Sequence, residues 1–189
     1  MQKIPTLFVR DLVNLRHVIN EVHPDCEWVG VKEVQQVATA KWDGTCTRCD
    51  DDGVWWARRE VKAGASWPDG FELADEDRLT HKVVGWVPIH QSSFVTVWAD
   101  AIDASGRMSD DWEPGTYEQC GPKINGNPHQ LAGHELIVHG RDKLFDAPTD
   151  YEGLKRYLEY FAWEGIVWHA ADGRRAKIKK RDFGYRWGK

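Results

Sequence analysis

Two Asp-Gly pairs, each set between runs of strand-forming residues, constrain this chain more than any other feature. Asp52-Gly53 separates Thr45–Cys49 from Val54–Lys62, and Asp172-Gly173 separates Val167–Ala170 from Ala176–Lys179. Such a pair tolerates the left-handed backbone of a tight turn, so each predicts two neighbouring antiparallel strands. Further strands are expected over Val34–Lys41, Val83–Ile89, Phe94–Ala99 and Leu136–His139. One helix is well specified. Thr149-Asp150-Tyr151-Glu152 fits a capping box, and Leu154, Tyr157, Leu158, Phe161 and Ala162 then recur at helical spacing up to about Gly165. Leu12, Leu15, Ile19 and Val22 suggest a second helix, stopped by Pro24, with an extended run from His17 to Val29 as the alternative. Residues 63–80 and 103–116, rich in Gly, Pro and acids, read as loops. The pattern predicts an α+β fold dominated by antiparallel sheet, a single domain over 1–189 with no repeat and no dividing linker.

At 189 residues the chain is long enough to bury a core without staples. No apolar run approaches the roughly 18 residues of a bilayer span, and Met1-Gln2-Lys3-Ile4-Pro5 lacks the form of a secretion signal. Four cysteines (Cys26, Cys46, Cys49 and Cys120) are too few for a disulfide scaffold. Reduced thiols and a cytoplasmic setting are expected, with no membrane partner. The net charge is −5, which does not by itself suggest nucleic acid. Its distribution does: Arg174, Arg175, Lys177, Lys179, Lys180, Arg181, Arg186 and Lys189 crowd the last 17 residues against Asp182 alone. The plainer alternative is a solvated terminal charge run.

Four strings carry residue types suited to chemistry. Lys41-Trp42-Asp43-Gly44-Thr45 puts an amine at a strand end before a tight turn; an amine is nucleophilic only once deprotonated, which burial and neighbouring cations promote. Gly115 to Pro128 forms a Gly- and Pro-rich segment around Glu118, a carboxylate able to accept from sugar hydroxyls. Glu164-Gly165-Ile166-Val167 places a carboxylate just before a buried strand, where it could hold a divalent metal. Lys177 and Lys179 share a strand face, with Ile178 on the other. Two like charges side by side favour an anion between them, and phosphate is the obvious one. Each string alone is also what an ordinary turn or wet strand would show. Cys46-Thr47-Arg48-Cys49 lacks two further ligands nearby and reads as plain thiols, and the eight histidines show no metal spacing.

In order, K-x-D-G-T, R-R-E, E-x-x-G-P, E-G-I-V and K-I-K are much more specific than any one of them. Together they resemble the motif set of covalent nucleotidyltransferases, and in particular the ATP-dependent RNA ligases: the phage nick-sealing type and a small family found from bacteria to animals. Lys3-Ile4-Pro5-Thr6-Leu7-Phe8 and Gly85-Trp86-Val87-Pro88 also look like that small family. The resemblance implies a nucleotidyltransferase (adenylation) domain without a C-terminal OB domain, since only ten residues follow Lys179.

It further implies that Lys41 attacks the α-phosphate of ATP to form lysyl-AMP, that AMP passes to an RNA 5′-phosphate, and that a 3′-hydroxyl then displaces AMP. Arg59 matches a nucleotide-contacting arginine and faces the pocket in place of Arg58. Glu118 matches the ribose carboxylate and Glu164 the metal carboxylate. Lys177 and Lys179 match the α-phosphate grip, their charge also lowering the pKa of Lys41. Magnesium, with manganese as the alternative, would neutralise pyrophosphate. Lys180 and Arg181 in the basic tail are candidates for RNA contact. The strand His134–His139 holds no Phe, Tyr or Trp, so an aliphatic or histidine platform is expected where relatives stack an aromatic on adenine. The alternatives are a GTP-dependent capping-type enzyme, a DNA ligase (which usually has Arg where Cys46 stands) and a non-catalytic RNA-end-binding module.

Overall fold

Both Asp-Gly pairs close hairpins in the computed structural model, which describes residues 3–77 and 81–188; Gly53 (φ +76°) and Gly173 (φ +89°) take the left-handed backbone. Met1, Gln2, residues 78–80 of the expected loop and Lys189 of the basic tail lie outside the described residues. In chain order the strands are β1 (Phe8–Arg10), β2 (Val18–Val22), β3 (Gln36–Lys41), β4 (Thr45–Cys49), β5 (Trp55–Val61), β6 (Glu72–Glu76), β7 (Val83–Pro88), β8 (Gly115–Cys120), β9 (Glu135–Val138), β10 (Lys143–Leu144), β11 (Gly165–Ala170) and β12 (Arg175–Lys179). The α-helices are α1 (Val95–Ser105) and α2 (Tyr151–Glu159). The architecture is α+β, mostly antiparallel sheet. No described helix is long and apolar enough to cross a membrane. The chain divides into two compact units: a terminal unit, Ile4–Asp43 with Gly140–Lys189, and a central unit, Met1–Lys3 with Gly44–His139.

In the terminal unit β10, β3, β11 and β12 form one antiparallel sheet in that order, and β1 pairs with β2. Alternation sends Ala38, Ile166, Trp168, Ala176 and Ile178 to one face, where Leu154 and Leu158 of α2 complete the core. The helix forms where its periodicity predicts, with a different cap. Asp150, not Thr149, is the N-cap: its Oδ1 accepts from the Gly153 amide at 2.8 Å. The helix ends at Glu159, though Phe161 still packs on the core. Over residues 12–22 the helix does not form; the extended alternative holds for strand β2, Val18–Val22, with a turn before it. Leu12, Val13 and Leu15 are exposed and only Val18 is buried, so the helical spacing meets nothing to pack against.

In the central unit the sheet order is β6-β7-β5-β4-β8-β9, all antiparallel. Its core face gathers Cys49, Trp55, Ala57, Val87, Tyr117 and Leu136 against Ala101 and Ile102 of α1. Trp55 is the hub, with the rings of Trp98, Trp112 and Tyr117 at 5.9, 5.8 and 5.3 Å. Two expectations are overturned here. Phe94–Ala99 does not extend as a strand; its β-branched valines start α1, which buries Val97, Ala101 and Ile102 on one side and stops at Gly106 (φ +67°). The expected loop 63–80 contains β6, an acid-rich edge strand on β7, of the charged kind that discourages further pairing.

Candidate functional site

The terminal unit brings four of the predicted residues together. Register sets Lys41 of β3, Gly165 of β11 and Lys179 of β12 in one row, and Thr39, Val167 and Lys177 in the row two residues further along. Lys41, Lys177 and Lys179 therefore share the face opposite the aliphatic core. Gly165 leaves the lane between Lys41 and Lys179 free of a side chain; a Cβ there would collide with the Ile178 carbonyl. Glu164, buried just before β11, gives one carboxylate oxygen to the Lys41 ammonium and the other to the Lys179 ammonium.

The cluster holds three amines and one carboxylate. Burial alone would raise the Glu164 pKa, but the charges of Lys41 and Lys179 and their hydrogen bonds outweigh it and hold the carboxyl below its ordinary value. Lys177 makes the opposite balance: burial first, then the charges of Lys179 and Lys41, bring it down to about 8. Lys179 is lowered by burial and by Lys41, against the pull of Glu164.

The surroundings fix this arrangement. Lys41 Nζ also donates to the Trp42 carbonyl at 3.1 Å. The Trp42 indole donates to Asp142 at 2.7 Å and the Trp187 indole to Asp43 at 2.9 Å, which pins the turn after β3. Asp182 is buried; it accepts from the Lys179 amide at 2.8 Å and pairs with Arg10 at 2.7 Å. The sequence shows Asp182 only as a lone acid in a basic tail. Lys180 is turned inward: its ammonium donates to the carbonyls of Glu159 and Phe161 at 3.3 and 2.8 Å, closing the end of α2. Arg181 is exposed.

The central unit holds Glu118 and Arg59. Glu118 of β8 faces Cys46 of β4 in register. One of its oxygens accepts from the Gly44 amide at 3.0 Å and the other lies 2.8 Å from His139 Nε2, while His139 Nδ1 lies 2.8 Å from the Thr116 hydroxyl. Gly44 has to be glycine for a reason of space, since a Cβ would strike the Gln119 carbonyl. Along the same face, Arg48 lies between the rings of Trp56 and Trp86 at 5.0 and 5.1 Å and pairs with Glu72 at 2.6 Å. Arg59 does not stand alone as the pocket-facing arginine. Both it and Arg58 border a cavity of about 180 Å³, together with Thr45, Gln91, Ser92 and Phe94. Cys46 and Cys49 fall on opposite faces of β4, so the C-x-x-C is not a chelating pair; all four cysteines are buried and reduced.

Sequence reasoning offered a histidine of this strand only as an adenine platform and missed the contact of His139 with Glu118. Its partner is set by pairing of β8 with β9, not by spacing along the chain. Pairing Gly115–Cys120 with Leu136–His139 on paper would have found it.

Residues 99–189 match the family model described as RNA ligase 1. The RNA ligase 1 proteins of Pongo abelii and Rattus norvegicus are each 26% identical over 140 residues, covering 56% of this chain and 42% of the relative. That of Danio rerio is 31% identical over 81 residues, covering 38% of this chain and 25% of the relative. The chain thus spans less than half the length of these curated relatives. Over residues 99–189, and along the stretch aligned with the mammalian proteins, the chain is similar to RNA ligase 1, in keeping with its ordered motifs.

Proposed function

We propose that this chain is an ATP-dependent RNA ligase with a nucleotidyltransferase fold, working through a lysyl-AMP intermediate on Lys41. The observation that carries the reading is the sheet-face cluster of three amines around one carboxylate. With all four groups ionised it bears a surplus of two positive charges in a buried place, which suits a phosphate anion.

In the first step the Lys41 Nζ lone pair, freed of a proton, forms an N–P bond to the α-phosphorus. The bond from that phosphorus to the bridging oxygen breaks and pyrophosphate leaves with its electrons. Lys177 and Lys179 stabilise charge gathering on the α-phosphate oxygens. Glu164 holds Lys41 and Lys179 apart by a fixed bridge, and Asp182 fixes the end of β12 that carries Lys179. An RNA 5′-phosphate oxygen next attacks the same phosphorus and Lys41 departs. A 3′-hydroxyl then attacks the 5′-phosphate, AMP leaves, and the strand is closed. Glu118 is assigned to the ribose and Arg59 to the nucleotide, both by resemblance. RNA contact falls to Arg181, since Lys180 is spent on α2.

Glu164 does not fit as a ready magnesium ligand, because both its oxygens lie on ammonium groups. Magnesium or manganese is proposed as the counter-ion of the ATP phosphates, where it neutralises charge on the leaving pyrophosphate.

The test is incubation with ATP labelled at the α-phosphate, magnesium and no RNA, followed by denaturation. A covalently labelled chain, absent in Lys41→Met, is expected. No label on the wild type, or equal label on Lys41→Met, would overturn the reading. Labelling by GTP in preference to ATP would move the chain to capping-type chemistry.

A further inference from the structure

We propose that Cys46, Glu118 and His139 form a three-ligand site for a borderline divalent metal, with zinc the best-suited ion. The three come from adjacent strands of the central sheet. Cys46 and Glu118 are direct register partners on β4 and β8, and the His139 amide bonds the Thr116 carbonyl just beyond β9. Alternation places all three side chains on the face away from the Trp55 core. One donor atom from each, the Cys46 sulfur, a Glu118 oxygen and a His139 nitrogen, lies within 4.8 Å of the other two.

The donor chemistry selects the ion. A thiolate, an imidazole and a carboxylate are a mixed sulfur, nitrogen and oxygen set, which suits zinc, whereas magnesium takes oxygens. Zinc bonds of about 2.0–2.3 Å put tetrahedral ligand atoms about 3.5 Å apart, so closure from the present spacing takes movements of order 1 Å. The imidazole is already aimed. Thr116 Oγ1 at 2.8 Å holds Nδ1, leaving Nε2 directed at Glu118. In the metal-free protein the 2.8 Å contact between Nε2 and the Glu118 carboxylate is a hydrogen bond; a metal ion would displace its proton and take Nε2 and a carboxylate oxygen as ligands, with Nδ1–H then donated to the hydroxyl. A hydrogen bond from the far ring nitrogen is the usual support of a metal-bound histidine. The Cys46 thiol now points toward the Thr47 carbonyl at 3.8 Å, a weak contact that the thiolate gives up on binding. Three protein ligands leave a fourth tetrahedral position for water or a substrate oxygen.

Resting on the ligase reading, zinc at this site removes the Glu118 carboxylate from the ribose, so zinc and ATP compete. Metal binding itself is independent of that reading.

Cobalt(II) is the probe. Titrated into chelator-treated wild-type chain, it is expected to give one equivalent of a sulfur-to-cobalt charge-transfer band, which one equivalent of zinc abolishes. Cys46→Ala and His139→Ala should lose the band, Cys49→Ala on the opposite face should keep it, and Thr116→Val should weaken binding about 10–100-fold. Circular dichroism of each metal-free variant separates loss of a ligand from loss of fold; for any variant that does not fold, the wild-type band and its zinc displacement decide. No band in the folded wild type, or a band undiminished in folded Cys46→Ala, overturns the site. One equivalent of zinc should also suppress covalent AMP labelling of the wild type and spare that of Cys46→Ala. Labelling indifferent to zinc while the band persists overturns the competition, and a chain that never labels yet gives the band overturns the ligase reading and leaves the metal site standing.

Discussion

The lysine cluster of the terminal unit and the Glu118 cluster of the central unit are built by one device and settle their charge in opposite ways. In each, antiparallel register lines up polar side chains on the face of a sheet whose other face is core, and a glycine lies where backbones approach too closely for a Cβ: Gly165 in one, Gly44 in the other. The terminal cluster sets three amines against a single carboxylate. The central one surrounds a single carboxylate with a backbone amide, an imidazole and a thiol. The charge balance is why an anion is proposed for the first and a cation for the second. Cross-strand register decides which residues meet, and the ratio of amines to carboxylates decides what the meeting place receives.

The largest test of this contrast is the pair of carboxylate neutralisations. Glu164→Gln leaves buried ammonium groups without their counter-charge and should cost about 3–5 kcal/mol in urea denaturation at pH 7. Glu118→Gln keeps an oxygen acceptor for the Gly44 amide and should cost about 1 kcal/mol. Equal losses would break the comparison. Next come the glycines: Gly165→Ala and Gly44→Ala should each cost about 1–3 kcal/mol, because backbone rather than a flexible side chain must give way.

Lys177 sharpens the electrostatic half. Its folded pKa of about 8 lies below the ordinary 10.5. Between those values the unfolded chain binds more protons than the folded one, so this residue makes stability rise as pH climbs from about 8 to 10.5. Lys177→Met should flatten that rise and increase the melting temperature at pH 7 while weakening AMP labelling. A lower melting temperature in a variant with the same pH profile as wild type would show that the amine is not strained by its neighbours. The smallest effect separates consecutive lysines. Lys180→Met should cost about 1–2 kcal/mol through its orphaned carbonyls and leave labelling at the wild-type level, whereas Lys179→Ala should lose most of the label. Equal loss of label in both would refute the strand-face assignment.

The parts of the molecule written in local sequence are the parts that could be read from it. Asp-Gly turns announce the hairpins because the required backbone is a property of those two residues. K-x-D-G, E-G-I-V and K-I-K announce the lysine cluster because each motif fixes its own strand position. Phe94–Ala99 misled because two β-branched valines outweighed a burial pattern that only becomes helical when read on to Ile102. Residues 12–22 admitted both a helix and an extended run, and the strand won because helical spacing is empty without a surface to bury it. The His139–Glu118 and Asp182–Arg10 contacts leave no mark in residue spacing: the first follows only from pairing two expected strands, the second from a residue at the other end of the chain.

The short turn at Asp172-Gly173 has a role beyond closing β11 on β12. Because side chains alternate, a slide of β12 by one residue would carry Lys177 and Lys179 into the aliphatic layer and bring Ile178 out. Loss or gain of a single residue at this bend should therefore scatter the lysine cluster, and with it the proposed AMP labelling, even though every motif letter survives.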